Sequence, residues 1–361
     1  MKKFCFVVWN MGGFRSAKSF AGIRTLSAWL QRHPYVNVLL LTECTYEFSN
    51  ELLKCLQAID PLWKLITKGE PNYQEAENQQ TSVYENAVRI FFRADHRLNI
   101  REIPADDDYG TFLSVLGTTL NSRRIIRDSN FDKMSAFYLN RMRWLMLEDE
   151  DKPFAIGVGI HLFSKNDEYQ AYHNETLIKI IEIIKDYLYE ENTPLFFAGD
   201  FNYNPYESEV YRNHIPNERA TRDPQNPLYI DDGKFLVVPT RKAFFAKAQR
   251  NKFVNYLYNP MWMLLGDHSD ESVIEHDNTQ RYSLSYNYFH KSPKKDHERF
   301  FNLLDGLLMN EHLIRYFNDK RFGIAEDFLT PADIHNSTGL GFHNDLDSDH
   351  LPLIFELDFD R

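Results

Sequence analysis

Five short segments of this 361-residue chain set a polar or acidic side chain against the edge of an apolar run. They are Val8-Trp9-Asn10, Leu41-Thr42-Glu43, Gly159-Ile160-His161-Leu162, Phe197-Ala198-Gly199-Asp200-Phe201-Asn202 and Ser348-Asp349-His350. A sixth, Phe301-Asn302-Leu303-Leu304-Asp305, puts a carboxylate inside an apolar run. A buried carboxylate is costly unless a cation compensates it. Together the six segments supply carboxylates, carboxamides and imidazoles, the inventory of a hard-cation site doing acid and base work on a phosphate.

The elements that must position these side chains alternate short β-branched or aromatic runs with helical patterns, the signature of a layered α/β protein. Residues 4–9 read as a strand. Residues 16–32 read as a helix with Phe20, Ile23, Leu26 and Leu30 on one side, stopped by Pro34. Val36 to Leu41 make a buried strand, and a helix runs through Leu52, Leu53 and Leu56. Strands follow near 62–67, 87–93, 143–148 and 154–162, then a helix from Asn174 to Tyr189 and a strand at Leu195-Phe196-Phe197-Ala198. The last strand, Leu351 to Leu357, closes the chain, so the core needs both ends and a single domain over 1–361 is expected. Residues 203–299 are long, aromatic and weakly periodic, and read as an elaboration inserted between core strands.

With 41 basic against 52 acidic side chains the net charge is −11, which rules out affinity driven by bulk positive charge. It does not exclude an enzyme whose acidic residues are concentrated in a metal site. Cys5, Cys44 and Cys55 are too few for a disulfide framework, so a reducing, cytoplasmic setting is expected. The start of the chain imitates a signal segment for a few residues, but its apolar run stops at Trp9-Asn10 and reads as a first strand. No stretch approaches eighteen uninterrupted apolar residues, so no membrane span and no membrane partner are expected.

These residues, in this order, resemble the endonuclease/exonuclease/phosphatase superfamily of the DNase I-like type, as a bacterial-type member with a long insert. Gly199-Asp200-Phe201-Asn202 and Ser348-Asp349-His350-Leu351-Pro352-Leu353 are the specific pieces, and Trp9-Asn10-Met11-Gly12-Gly13 and Leu41-Thr42-Glu43 support them. The resemblance implies a four-layer α/β sandwich, two packed mixed sheets flanked by helices. It implies a Mg²⁺- or Mn²⁺-dependent phosphodiester hydrolase that works by in-line attack of an activated water. Glu43 would be the main metal ligand, with Asn10 and Asp349 completing the shell. Asp200 and Asn202 would face the phosphorus, one orienting or deprotonating the water and the other donating a hydrogen bond. His350 would take the water proton or grip the phosphate, with Asp305 fixing its tautomer; whether Asp200 or His350 is the base stays open. His161 would protonate the leaving oxygen or stabilise the phosphate.

Other patterns carry less. Asp345, Asp347 and Asp349 with Glu356 mimic a calcium loop, but His350 stands where the required Gly should be and the following residues read as strand. Gly12-Gly13 continues into neither a dinucleotide nor a P-loop pattern. Arg141 and Arg143 precede a strand and can grip a phosphate or be solvated. His268, His276, His290 and His297 lie in the insert and read as surface or packing residues, and Cys44 reads as a core residue facing away from Glu43. Insert aromatics such as Tyr256, Tyr258, Trp262, Tyr286 and Tyr288 can stack single-stranded bases or form a satellite apolar cluster. The first reading is therefore a nuclease with a nucleic acid or another phosphoester as partner. The alternatives are a phosphomonoesterase or phospholipase-type member acting on inositol phosphates or lipid head groups, and a catalytically silent binding protein on the same fold. The oligomeric state is left open.

Overall fold

The computed structural model describes residues 3–11, 19–44, 46–66, 88–94, 97–103, 141–150, 152–163, 177, 180–181, 193–202, 235–238, 255–264, 288–289, 301–302, 305–325 and 351–360. The elements run β1 (Lys3–Asn10), α1 (Ser19–Arg32), β2 (Val38–Thr42), α2 (Tyr46–Ile59), β3 (Trp63–Leu65), β4 (Arg89–Arg93), β5 (Leu98–Ile103), β6 (Met142–Asp149), β7 (Lys152–His161) and β8 (Leu195–Asp200). They continue with β9 (Phe235–Val238), β10 (Asn255–Tyr258), α3 (Met261–Leu264), β11 (Tyr288–Phe289), β12 (Phe301–Asn302), β13 (Asp305–Met309), α4 (Glu311–Ile314), β14 (Phe317–Ile324) and β15 (Leu353–Asp358).

β1 is buried on both faces along nearly its whole length, which is why its sequence is one continuous apolar run. It lies in a six-stranded sheet of order β14-β15-β1-β2-β4-β3, parallel to β2 and antiparallel to β15. A seven-stranded sheet has the order β5-β6-β7-β8-β13-β10-β9, with β7 and β8 parallel and β8 and β13 antiparallel. Both sheets are mixed. Phe4, Phe6, Val8, Val38 and Leu40 from the first pack with Phe196, Ala198, Leu307 and Met309 from the second in one buried cluster. Aromatic rings tie it together: Phe6 stacks on Phe355 at 4.5 Å and meets Phe196 edge-on at 5.2 Å.

The opposite face of the six-stranded sheet buries Cys5, Val7, Trp9, Leu39 and Leu41 against Ile23, Leu26, Trp29 and Leu30 of α1 and Phe48, Leu52 and Leu56 of α2. The α1 positions recur at helical spacing, and the helix stops at His33-Pro34 as its sequence predicts. Helices on one sheet and that sheet on another make the predicted α/β sandwich. Leu177, Ile180 and Ile181 of the expected helix at 174–189 are helical and buried; its remaining positions, and Phe20's side chain, lie outside the described residues.

Three local readings change. Asp305 opens β13 instead of closing the run that begins at Phe301, because β13 is antiparallel to β8 and must start where β8 ends, with Asp305 opposite Asp200. The strand expected near 143–148 spans Met142–Asp149 and includes Arg143, whereas the last strand begins at Leu353 instead of Leu351. Two strands within 203–299, β9 and β10, extend the seven-stranded sheet beyond β13.

Candidate active site

Side chains alternate along a strand, so the residues that share the intersheet face can be counted off in twos. On β1 they are Phe4, Phe6, Val8 and then Asn10; on β2 they are Val38, Leu40 and then Thr42, with Glu43 next. β8 gives Phe196, Ala198 and then Asp200, and β13 begins with Asp305 before Leu307 and Met309. On β7 the same face carries Gly157, Gly159 and His161: a Cβ on Gly157 would collide with the Phe196 ring, and one on Gly159 would come 2.9 Å from Val88 of the opposite sheet. The intersheet core thus ends at one rim in polar residues from both sheets. Register places His161 and Asp305 on either side of Asp200, and Asn10 beside Thr42.

Contacts follow from that register. The Asn10 amide nitrogen donates to Glu43 Oε1 at 3.1 Å and to Asp200 Oδ2 at 2.6 Å, joining the two sheets. His161 Nε2 stands 3.5 Å from Glu43 Oε1 and 3.8 Å from Asp200 Oδ2. Donor atoms of Glu43, His161 and Asp200 all lie within 4.8 Å of one another. Asp200 and His161 are buried, whereas the Glu43 side chain is 29 % exposed. Beside them the buried Thr42 hydroxyl has no hydrogen-bond partner among the described residues.

Two loop conformations finish the rim. Glu43 takes φ 52° directly after β2, and Asn202 takes φ 53° after β8. The Asn202 N–H donates to Asp200 Oδ1 at 2.7 Å, and its side-chain nitrogen donates to the Leu162 carbonyl at 2.7 Å. Gly199 makes the close strand pairing here possible: its φ is 145°, and a Cβ would fall 1.8 Å from the Ile160 carbonyl oxygen.

The donor set fits a hard divalent cation. Two carboxylates and a carboxamide are held within reach of one another, closed on the core side and open to water at Glu43. Of the residues singled out in the sequence, the structure brings together Asn10, Glu43, His161, Asp200, Asn202 and Asp305. Asp349 and His350 lie outside the described residues, as do Asp347, the four insert histidines and the loops around Gly12 and Gly13. Cys44 is buried on the helix side, with its Sγ 3.3 Å from Ser49 Oγ, and burial pushes its thiol up to about 11.

The two arginines part company. Arg143 is buried and pairs with Glu102 at 3.1 Å. Arg141 is also buried; its Nη1 reaches the carbonyl oxygens of His161 and Leu162, each at 3.4 Å. Neither is solvated. The sequence gives no sign of the Arg141 contacts, because a backbone carbonyl can be offered by any residue type.

A family profile described as Endonuclease/Exonuclease/phosphatase family matches residues 7–263. Comparison with curated protein sequences finds no match. Among solved structures, the chain is similar to humanized D. rerio TDP2 carrying 14 mutations, at 12% identity and TM-score 0.49, covering 99% of each chain. It is similar to an endonuclease/exonuclease/phosphatase family protein from Bacteroides thetaiotaomicron, at 12% identity and TM-score 0.49, over 99% of this chain and 97% of that one. A mannosyl-6-phosphatase from the same organism gives 12% identity and TM-score 0.49, over 99% of this chain and 100% of that one.

Proposed function

The chain belongs to the endonuclease/exonuclease/phosphatase family, whose members are metal-dependent phosphoester hydrolases, and we propose that it is a Mg²⁺- or Mn²⁺-dependent phosphodiesterase acting as a nuclease. The observation that carries the reading is the meeting of Asn10, Glu43, His161 and Asp200 at one rim of both sheets. Glu43, Asn10 and Asp349 would hold the cation. When bound, the ion polarises a phosphate oxygen and offsets the charge that develops there.

The chain's own groups do the rest. Asp200 accepts hydrogen bonds at both carboxylate oxygens, from Asn10 and from the Asn202 backbone, so its orientation is fixed before substrate arrives. It orients the attacking water, or deprotonates it with His350 sharing that role. Asn202 spends one amide hydrogen on Leu162 and has a second for an equatorial phosphate oxygen. His161, buried at the end of β7, hands a proton to the leaving oxygen. Asp305, one strand over from Asp200, steadies His350.

Purified protein with Mg²⁺ is to be tested on single- and double-stranded DNA, RNA, bis(p-nitrophenyl) phosphate and inositol phosphates. Cleavage of nucleic acid and the model diester is expected, with Glu43→Gln losing on the order of 100-fold or more in kcat/KM. Turnover confined to phosphomonoesters would replace the nuclease reading with a phosphatase. No turnover on any substrate would leave a binding protein on this fold.

A further inference from the structure

Arg141 sits just before β6, buried, at the back of the rim. Its backbone carbonyl accepts the His161 N–H at 2.8 Å, while its guanidinium reaches the carbonyls of residues 161 and 162 and lies 3.8 Å above the Phe163 ring. The Leu162 carbonyl also receives the Asn202 side chain, and the Leu162 N–H donates to the Asp200 carbonyl at 2.8 Å. Residues 161 and 162 therefore join Arg141 to the Asp200 backbone and the Asn202 side chain as well as to His161 itself. Burial draws the guanidinium down to about 10, and Glu43 and Asp200 are the groups whose charge pushes it back up. The side chain is a cation at neutral pH, and it reaches the carbonyl of His161, whose ring stands 3.5 Å from Glu43 and 3.8 Å from Asp200.

We propose that Arg141 is a positioning residue with a fixed counter-charge: it braces the 161–162 segment of the rim and, lying in the field of Glu43 and Asp200, weakens the grip of that carboxylate pair on a divalent cation. Two like charges bridged by one amide repel, and a buried guanidinium offsets that repulsion before any ion arrives. The same positive charge opposes an incoming cation. The site is thereby preassembled at the expense of metal affinity. This rests on the metal-site reading above.

Mn²⁺ titrations by calorimetry on the full-length protein separate the two. Arg141→Gln should tighten Mn²⁺ binding by about threefold or more while lowering kcat. Arg141→Lys, which keeps the charge without the planar fork, should leave Kd within about twofold of wild type and still lower kcat. A residue that only braced the backbone would loosen metal binding and turnover together, so unchanged or weaker binding in Arg141→Gln overturns the proposal. If that variant does not fold, the lysine variant decides: a Kd displaced beyond that margin overturns it. Wild-type protein that takes up no Mn²⁺, or Glu43→Gln that binds it as well as wild type, removes the metal-site reading itself.

Discussion

Glu43 is the residue at which local preference and the proposed metal-holding role pull apart. Its φ of 52° is left-handed, a conformation that an ordinary side chain adopts at a cost of about 1–2 kcal/mol. Asn202, at φ 53°, adopts the same region more easily, since Asn tolerates it and its N–H is held by Asp200. Glu150, at φ 49° in the turn between β6 and β7, shows that the conformation alone does not mark a site. What distinguishes Glu43 is its place against a second, buried carboxylate. Replacing it with Gly should relieve both backbone strain and charge repulsion, raising stability by about 1 kcal/mol while abolishing activity. Thermal melts in the absence of metal check this; a lower Tm would mean that the bond from Asn10 outweighs the strain. The polar rim residues were legible because each follows an apolar run. Arg141's part was not, because it works through main-chain oxygens that no residue type announces.

At the scale of the elements, legibility followed burial. β1, β2, β7 and β8 are covered on both faces and read as unbroken apolar runs. β5 and β14 leave no clear pattern in the sequence because they are edge strands rich in charge, Leu-Asn-Ile-Arg-Glu-Ile and Phe-Asn-Asp-Lys-Arg-Phe-Gly-Ile. The position of Asp305 is hidden in the sequence for a different reason: a local pattern cannot tell where an antiparallel partner makes a strand begin. The β7–β8 pair is the element on which the rim depends most, and Gly199 is its narrowest point. Gly199→Ala would drive a Cβ into the backbone oxygen of Ile160, which cannot swing aside as a side chain can. A loss on the order of 4 kcal/mol or more is expected, visible as a collapsed melting transition or insoluble expression. A soluble variant with wild-type Tm would show that β8 has another way past β7.

For the molecule as a whole, the helix-covered face of the six-stranded sheet sets an alkaline limit. Cys5 and Cys44 both lie in it, and burial pushes their thiols from an ordinary 9 up to about 12 and about 11. Below pH 9 both are protonated whether the chain is folded or not, and contribute no pH dependence. Between pH 9 and about 11 for Cys44, and between pH 9 and about 12 for Cys5, only the unfolded chain releases the proton, so folding stability falls as pH rises through those windows. Denaturant melts at stepped pH should show the decline, flattened in a Cys5→Ala, Cys44→Ala chain; an unaltered alkaline limb would place the thiols in contact with water.

Because Asn10 ends and Glu43 follows a strand of one sheet while His161 and Asp200 end strands of the other, the spacing of the rim groups is a distance between two slabs. The Phe6, Phe196 and Phe355 rings act as the spacer that sets it, and the two sheets as the jaws of a calliper. Trimming a ring deep in the core is then a change to the gap between the rim groups made from a distance, and the proposed activity would feel it as well as folding.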